Sequence, residues 1–591
     1  MSENISWTES GIVEMPTWYG PNERPLFGWL TFPEERRVLG AVVICSPVCE
    51  EGRAAHRTMR ELARSLAQDG FLSLRFDYDG TGDSVGSYND PEWVDRWVIS
   101  VEHSIQFLRR IGADNIALVG MRLGATIAAV AAARSSEYIR SLVLWDPCRS
   151  GKNFLREQAL LHRTVFDASF SGEEGSIETP GYVFGPKAVE GLNSLRLDDV
   201  LTLDATSTTV SVLFRDDRAH STELDNRFRA AGFQVGVARG QDNIVDVTPV
   251  VAKVPYGTLN EVTRLLGVKG GGPARLEPVL MHGLDAAVHQ TARFMTQWGT
   301  VTEELVAVGR ASLFGIETRP DRDSATTVVF LNALTECHIG PARMWPALAR
   351  EWAGRGAVSG LRFDVGGIGD SPDVNGRPRD RILLPGAIDD INDVVDREHG
   401  EGRAAVLIGL SSGGYAALEG ALQKSIAGVV AINPAIDALG LTYTLTDRVN
   451  FDARRKAIRK WPSPLARYAI EHHRIATALW FVLQQLWPLY APMAVVAKIV
   501  RNGAHVLMVL ADVDRLPFDR NWYWRLRSGM LRRSGRYSRI DPPSLDHGLL
   551  IAGGRSRLID GLTRYILATY GARSIGADTA RACLTNGSEF G

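Results

Sequence analysis

One serine stands in the five-residue setting Gly409-Leu410-Ser411-Ser412-Gly413, which fits the pattern G-x-S-x-G. That pattern describes a sharp turn between a strand and a helix, lifting a serine hydroxyl above the edge of a sheet. Both glycines have a steric purpose, since neighbouring backbone comes too close for side chains and the serine itself is strained. A serine hydroxyl is a weak nucleophile until a base takes its proton, and that base needs a carboxylate to orient it. The chemistry within reach is acyl transfer through a serine ester. Downstream, His547 is the last histidine, in Leu545-Asp546-His547-Gly548-Leu549, and the carboxylates Asp512 and Asp514 follow the apolar run His505 to Leu510.

Such groups act only if regular elements hold them. Ahead of Ser411 lies the apolar run Ala405 to Ile408, a strand by length and β-branched content; behind it, Tyr415 to Leu422 reads as a helix with small residues for close packing. The same frame occurs twice in the chain. Pro25-Leu26-Phe27-Gly28, the strand Ala41 to Cys45, the helix His56 to Gln68 and the strand Leu72 to Phe76 lead into Asp77-Tyr78-Asp79-Gly80-Thr81-Gly82-Asp83-Ser84. Leu313-Phe314-Gly315, the strand Thr327 to Leu331, a helix around Trp345 to Trp352 and Leu361-Arg362-Phe363 lead likewise into Asp364 to Ser371. Asp77 and Asp364 stand as far apart as Ser84 and Ser371, and Ile116 to Gly124 then matches Ala405 to Gly413. An ordered series of matched blocks marks an internal repeat, and strands alternating with helices predict parallel sheets covered on both faces.

The strand-end R-F-D-x-x-G-x-G-D-S segment, the elbow at Ser411, the next strand ending in Asn433-Pro434 and the late His547-Gly548 together resemble the α/β-hydrolase superfamily, once per half. The resemblance implies an eight-stranded, mostly parallel sheet in each half, with chain order nucleophile, acid, base. It makes His547 the base. It selects Asp514 as the acid, three residues past the small residue that ends its strand, with Asp512 as the alternative. The oxyanion donors it implies are the backbone N–H groups of Ser412 and Leu334, the latter in Asn332-Ala333-Leu334-Thr335, which departs from the common His-Gly opening. Cys337 and His338 are expected to pack beneath the pocket.

In the first half, Arg122 of Gly120-Met121-Arg122-Leu123-Gly124 stands where Ser411 stands, and arginine cannot form an acyl-enzyme. Tyr256 takes the place of His547, while Asp216 and Asp217 remain near the acid position and are expected to pair with Arg122. This half also resembles hydrolase-like proteins found beside exosortase systems, which carry G-x-R-x-G and a V-x-P-x-x-E-E segment comparable to Cys45 through Glu51. The expectation is a degenerate, catalytically inert copy.

The 591 residues, 45% hydrophobic and 23% charged, suit two domains, placed at 1–270 and 304–575 with a linker at 271–303 and a tail at 576–591 ending in a vector-like Gly-Ser-Glu-Phe. Between Asn433 and His505, a segment rich in Trp, Leu and Tyr is expected to form a helical lid over about 435–504 and to favour an apolar acyl substrate. Its Gln484, Gln485, Pro488 and Pro492 argue against a membrane span. A formal net charge of −2 without a basic block excludes a nucleic-acid partner on electrostatic grounds. Five cysteines and a polar, acidic N-terminus point to the cytoplasm. No cofactor and no metal is called for, and oligomeric state is not legible. The fold expected is two tandem α/β-hydrolase domains. The activity expected is cleavage of an ester or thioester, or transfer of its acyl group, with a serine peptidase of the prolyl-aminopeptidase sort or a non-catalytic binding scaffold as the competing readings.

Overall fold

The computed structural model describes residues 4–88, 90–135, 137–166, 173–203, 207–218, 221–266, 279–333, 335–374, 385–435, 492–520 and 522–571. Residues 436–491 of the expected lid, the tail and Leu334 lie outside them; the end of that lid segment forms the helix Pro492–Arg501. By the density of internal contacts the chain forms two units. One is Met1–Leu305 with Pro341–Ala347 and Leu550–Ala552; the other is Val306–Gly340, Leu348–Leu549 and Gly553–Gly591.

Across the first sheet the strands run Trp7–Glu9, Ile12–Tyr19, Leu26–Pro33, Leu72–Phe76, Ala41–Cys45, Ile116–Met121, Ser141–Trp145, Thr209–Arg215 and Gln234–Ala238. The first three strands pair antiparallel with one another, and the third also pairs antiparallel with Leu72–Phe76. From Leu72–Phe76 onward all pairing is parallel. The second sheet has the same order: Thr291–Thr296, Gly299–Val308, Leu313–Pro320, Ser359–Phe363, Thr326–Leu331, Ala404–Leu410, Gly428–Ile432, His505–Val509 and Tyr537–Ile540. It too switches from antiparallel to parallel at the fourth strand. Each sheet therefore has nine strands, one more than expected. The additional strands come from polar stretches: Thr291–Thr296 alternates exposed and buried residues, a period-two pattern within the segment expected to be linker.

Central strands are buried throughout and mostly apolar because both faces are covered. On the first sheet, Val43, Leu74, Leu118 and Leu142 face the helices Trp93–Arg110 and Leu123–Arg134. Val42, Ile44, Val119 and Val143 face Cys49–Gln68 and Tyr256–Leu265. On the second, Val329, Leu407, Val429 and Val506 meet the helices Pro385–Gly400, Ser412–Gln423 and Pro492–Arg501. On its opposite face Phe330 stacks on Trp352 of the helix Met344–Gly354, with ring centroids 5.8 Å apart. The chain is two tandem α/β domains, each a mostly parallel sheet with helices on both sides. Among the described residues no helix is long and apolar enough to cross a membrane.

Candidate active site

Ser411 sits where the strand Ala404–Leu410 ends and the helix Ser412–Gln423 begins. Its φ of 54° and ψ of −114° are a conformation that L-residues rarely adopt. The backbone is pinned on both sides of the turn: Ser411 N–H donates to Ile432 O at 2.8 Å, and its carbonyl accepts from Tyr415 N–H at 3.0 Å and Ala435 N–H at 3.1 Å. The flanking glycines are sterically required. A Cβ on Gly409 would lie 2.3 Å from the Gly413 carbonyl carbon, and one on Gly413 would lie 2.5 Å from Asn332 O. Ser412 is the first residue of the helix, so its N–H is among those that no intrahelical carbonyl reaches.

His547 Nε2 is 3.1 Å from Ser411 Oγ, and His547 Nδ1 is 2.9 and 3.0 Å from the two oxygens of Asp514. A carboxylate can only accept, so Nδ1 carries the proton and Nε2 is left to accept from the serine hydroxyl. The line runs from a buried serine, 6% exposed, to a half-exposed imidazole. Asp512 does not join it; that side chain is exposed and turns to Arg515 at 3.3 Å. Asn433, named in the sequence only as part of a strand-end Asn-Pro, is fully buried between these groups. Its Oδ1 accepts from Ala511 N–H at 2.7 Å, and its Nδ2 donates to His547 O at 3.1 Å and Asp546 O at 3.4 Å.

Asp364, at the end of the strand Ser359–Phe363, organises the loop beside the elbow. Its Oδ1 accepts from His338 N–H at 2.6 Å and Asn332 Nδ2 at 2.8 Å; its Oδ2 meets His338 Nδ1 at 2.7 Å and accepts from Asp370 N–H at 2.9 Å. His338, Asp364 and Asp370 are residue types that ligate metals and lie within 4.8 Å of one another, but both oxygens of Asp364 already serve two partners each. The arrangement locks a loop. His338 is buried and packs edge-on against Phe314. The first half repeats the lock: Asp77 Oδ2 accepts from Asp83 N–H at 2.9 Å, and Ser84 Oγ donates to Asp77 O at 2.6 Å.

Arg122 has almost the backbone of Ser411, with φ 55° and ψ −126°. Its Nε lies 3.2 Å from both oxygens of Glu51, its Nη2 is 3.0 Å from Glu51 Oε1 and 2.5 Å from Glu157 Oε2, and its Nη1 is 3.4 Å from Asp146 Oδ2. The expected partners were Asp216 and Asp217, and neither is among these carboxylates. Asp217 instead takes two bonds, at 2.6 and 2.5 Å, from Arg215, two residues away on the same strand end. A local Arg-x-Asp pair satisfies it before the elbow is reached. Tyr256 opens a helix and is 52% exposed. Burial, opposed by Arg122 and Arg215, pushes the Asp146 carboxyl up to about 6.

Two sets of residues were not singled out from sequence. Glu51 was quoted only as part of a motif, although the adjacent Glu50-Glu51 followed by an apolar helix face could have marked a buried acid needing a cation. Asn433 carries no signal beyond its place before a proline.

No curated protein matches this chain. Among solved structures, Est1E from Butyrivibrio proteoclasticus is similar at 16% identity and TM-score 0.31, over 42% of this chain and 95% of that one. A thioesterase domain from the curacin biosynthetic pathway is similar at 14% identity and TM-score 0.29, over 43% of this chain and 99% of that one. A Pyrococcus furiosus esterase is similar at 14% identity and TM-score 0.29, over 46% and 93%. Residues 328–580, which contain Ser411, Asp514 and His547, match the profile of the alpha/beta hydrolase family.

Proposed function

We propose that the second half is a serine hydrolase that cleaves an ester or thioester, or passes its acyl group to another acceptor, through an acyl-Ser411 intermediate. The observation that carries this reading is the unbroken line from Ser411 Oγ through His547 to Asp514, at 3.1 and 2.9 Å. His547 Nε2 takes the Ser411 proton as Oγ attacks the substrate carbonyl. Asp514 holds the ring by Nδ1 and stabilises the imidazolium that forms. The oxyanion is met by Ser412 N–H and, by the family resemblance, Leu334 N–H. The intermediate collapses, the imidazolium protonates the leaving group, and water or another nucleophile repeats the sequence on the acyl-enzyme.

The domains on this reading are 1–270, a pseudo-hydrolase, and 304–575, the catalytic half, whose sheet gains its first strands from the stretch between them. Identical strand order, the paired Asp77 and Asp364 locks and the matching elbow angles support duplication. The guanidinium of Arg122 is occupied by three carboxylates of its own chain, which favours closure of that elbow over ligand binding. An apolar acyl substrate and a cytoplasmic setting remain as the sequence suggests them.

A fluorophosphonate probe should label the protein, and Ser411→Ala should abolish both labelling and turnover of p-nitrophenyl esters assayed over a range of chain lengths. Labelling that persists in Ser411→Ala refutes the reading; an unlabelled, folded wild type favours a binding scaffold instead.

A further inference from the structure

Two positions separate the halves most clearly, and they differ together. At the elbow, serine faces arginine; at the end of the next strand, Asn433 faces Asp146. Their backbones are alike. Asn433 has φ 41° and donates its N–H to Val509 O at 2.8 Å; Asp146 has φ 45° and donates to Leu213 O at 2.7 Å. The side chains do different things. Asp146 can only accept, and its neighbours are the cations Arg122 at 3.4 Å and Arg215 at 4.0 Å. Asn433 both accepts and donates, and every bond it makes is to backbone: Ala511, three residues before Asp514, on one side, and Asp546 with His547 itself on the other.

We propose that Asn433 is the positioning residue of this site: one buried, neutral amide sets the spacing between the turn that carries Asp514 and the loop that carries His547. The inference rests on the acyl-serine reading above. Three features make the amide the right group. It is fully buried, so its bonds are not exchanged with water. Its acceptor and donor ends are needed at once, because one loop offers an N–H and the other carbonyls. It is also uncharged, and its chain neighbourhood is that of the elbow, since Ile432 and Ala435 both bond the Ser411 backbone. A carboxylate here would turn a repulsive oxygen toward the His547 carbonyl and set a second buried negative charge beside the charge that develops at the serine. In the first half a carboxylate is tolerated at this position because an arginine occupies the elbow. Even there burial raises Asp146 to about 6 against two guanidinium groups.

The test compares Asn433→Asp and Asn433→Ala with wild type in the full chain. Asn433→Asp keeps the side-chain size, and the first half holds an aspartate in this backbone conformation, so the variant is expected to fold, with its melting lowered because no arginine stands beside the carboxylate here. Turnover of p-nitrophenyl butyrate should fall on the order of 10- to 100-fold in kcat for both variants, with KM within about twofold, as expected when reacting groups are displaced without loss of substrate contacts. The far-downfield proton NMR signal of the His547 Nδ1–H, held by Asp514 in wild type, should weaken or vanish in both. That signal is read without turnover, so it separates failure of this inference from failure of the acyl-serine reading. A folded Asn433→Asp with wild-type kcat and an intact downfield proton overturns the assignment. Unfolding of both variants also overturns it, by showing a role in the fold alone.

Discussion

Replacing Arg122 by methionine tests the view that the first elbow is closed by its own ion pairs. The side chain is 6% exposed, and its loss strands three carboxylates unequally. Glu157 is 46% exposed, so its contact contributes little. Asp146 keeps Arg215 at 4.0 Å. Glu51, itself 5% exposed, is left with a single bond from Gln158 Nε2 at 3.0 Å, and this dominates the cost. Removing one partner of a buried pair costs about 3–5 kcal/mol, because an uncompensated charge stays behind. Asp146 supplies the pH signature. Its folded value of about 6 exceeds the ordinary 3.8, so between these values the native state binds more protons than the unfolded chain and stability falls as pH rises. Without Arg122 that fall steepens and extends upward, since a stranded carboxyl escapes its penalty only by taking a proton. Thermal unfolding of wild type and Arg122→Met should therefore diverge by about 3–5 kcal/mol at pH 8 and by about 1–3 kcal/mol at pH 5, where mainly hydrogen bonds are lost. Ester turnover by the folded variant should be unchanged. Equal destabilisation at both pH values would refute the electrostatic argument, and loss of turnover in a folded variant would refute the inertness of this half.

Four further outcomes are expected. Asp514→Asn should lower kcat by roughly a thousandfold or more while Asp512→Asn stays within about threefold, measured with p-nitrophenyl butyrate; the reverse pattern would move the acid to Asp512. Gly413→Ala should lower the unfolding free energy by about 1–3 kcal/mol, because its Cβ meets backbone at 2.5 and 2.9 Å. Gly529→Ala, on an exposed helical turn with nothing within 4 Å, should raise it by about 0.5–1 kcal/mol. Finally, burial would raise Glu14 and Glu317, but Arg60 and Arg64 for one, and Arg319, Arg397 and Arg403 for the other, hold both down at about 2. Each lies below its ordinary 4.5, so each contributes roughly 3 kcal/mol that is present above pH 4.5 and lost as pH falls toward 2. Glu14→Gln should flatten that acid-side loss in a urea titration, and an unchanged slope would contradict it.

The elements that carry Ser411 were legible because buried parallel strands write themselves as unbroken apolar runs, and because the glycines of the elbow have no substitute. The same holds for Ala41–Cys45; Leu72–Phe76 kept its bounds although Ser73 and Arg75 interrupt its apolar residues. Edge strands were harder. Thr291–Thr296 keeps one wet face, so its apolar residues are spaced out and resemble linker. Side-chain partnerships depend on which element ends meet in space, and spacing in sequence does not give this. Arg122 was visible as an anomaly, but Glu51 lies on a helix far from it in the chain, whereas Asp217 lay closer to the expected place and found Arg215 first. Asn433 shows the same limit, since its partners come from two loops that follow it by many residues.

The elbow angles bear on how such a site can change. Ser411 and Arg122 share a left-handed φ near 55°, and only one of them has a use for it in the proposed chemistry. The distortion is thus set by the path the backbone must take between Gly409 and Gly413, or Gly120 and Gly124, and it persists whichever side chain rides on it. The turn behaves as a socket with a fixed mouth and an exchangeable plug. On the proposed reading, the first half keeps the socket and fills it with Arg122, so the same turn serves there as a wall and in the second half as the seat of the nucleophile.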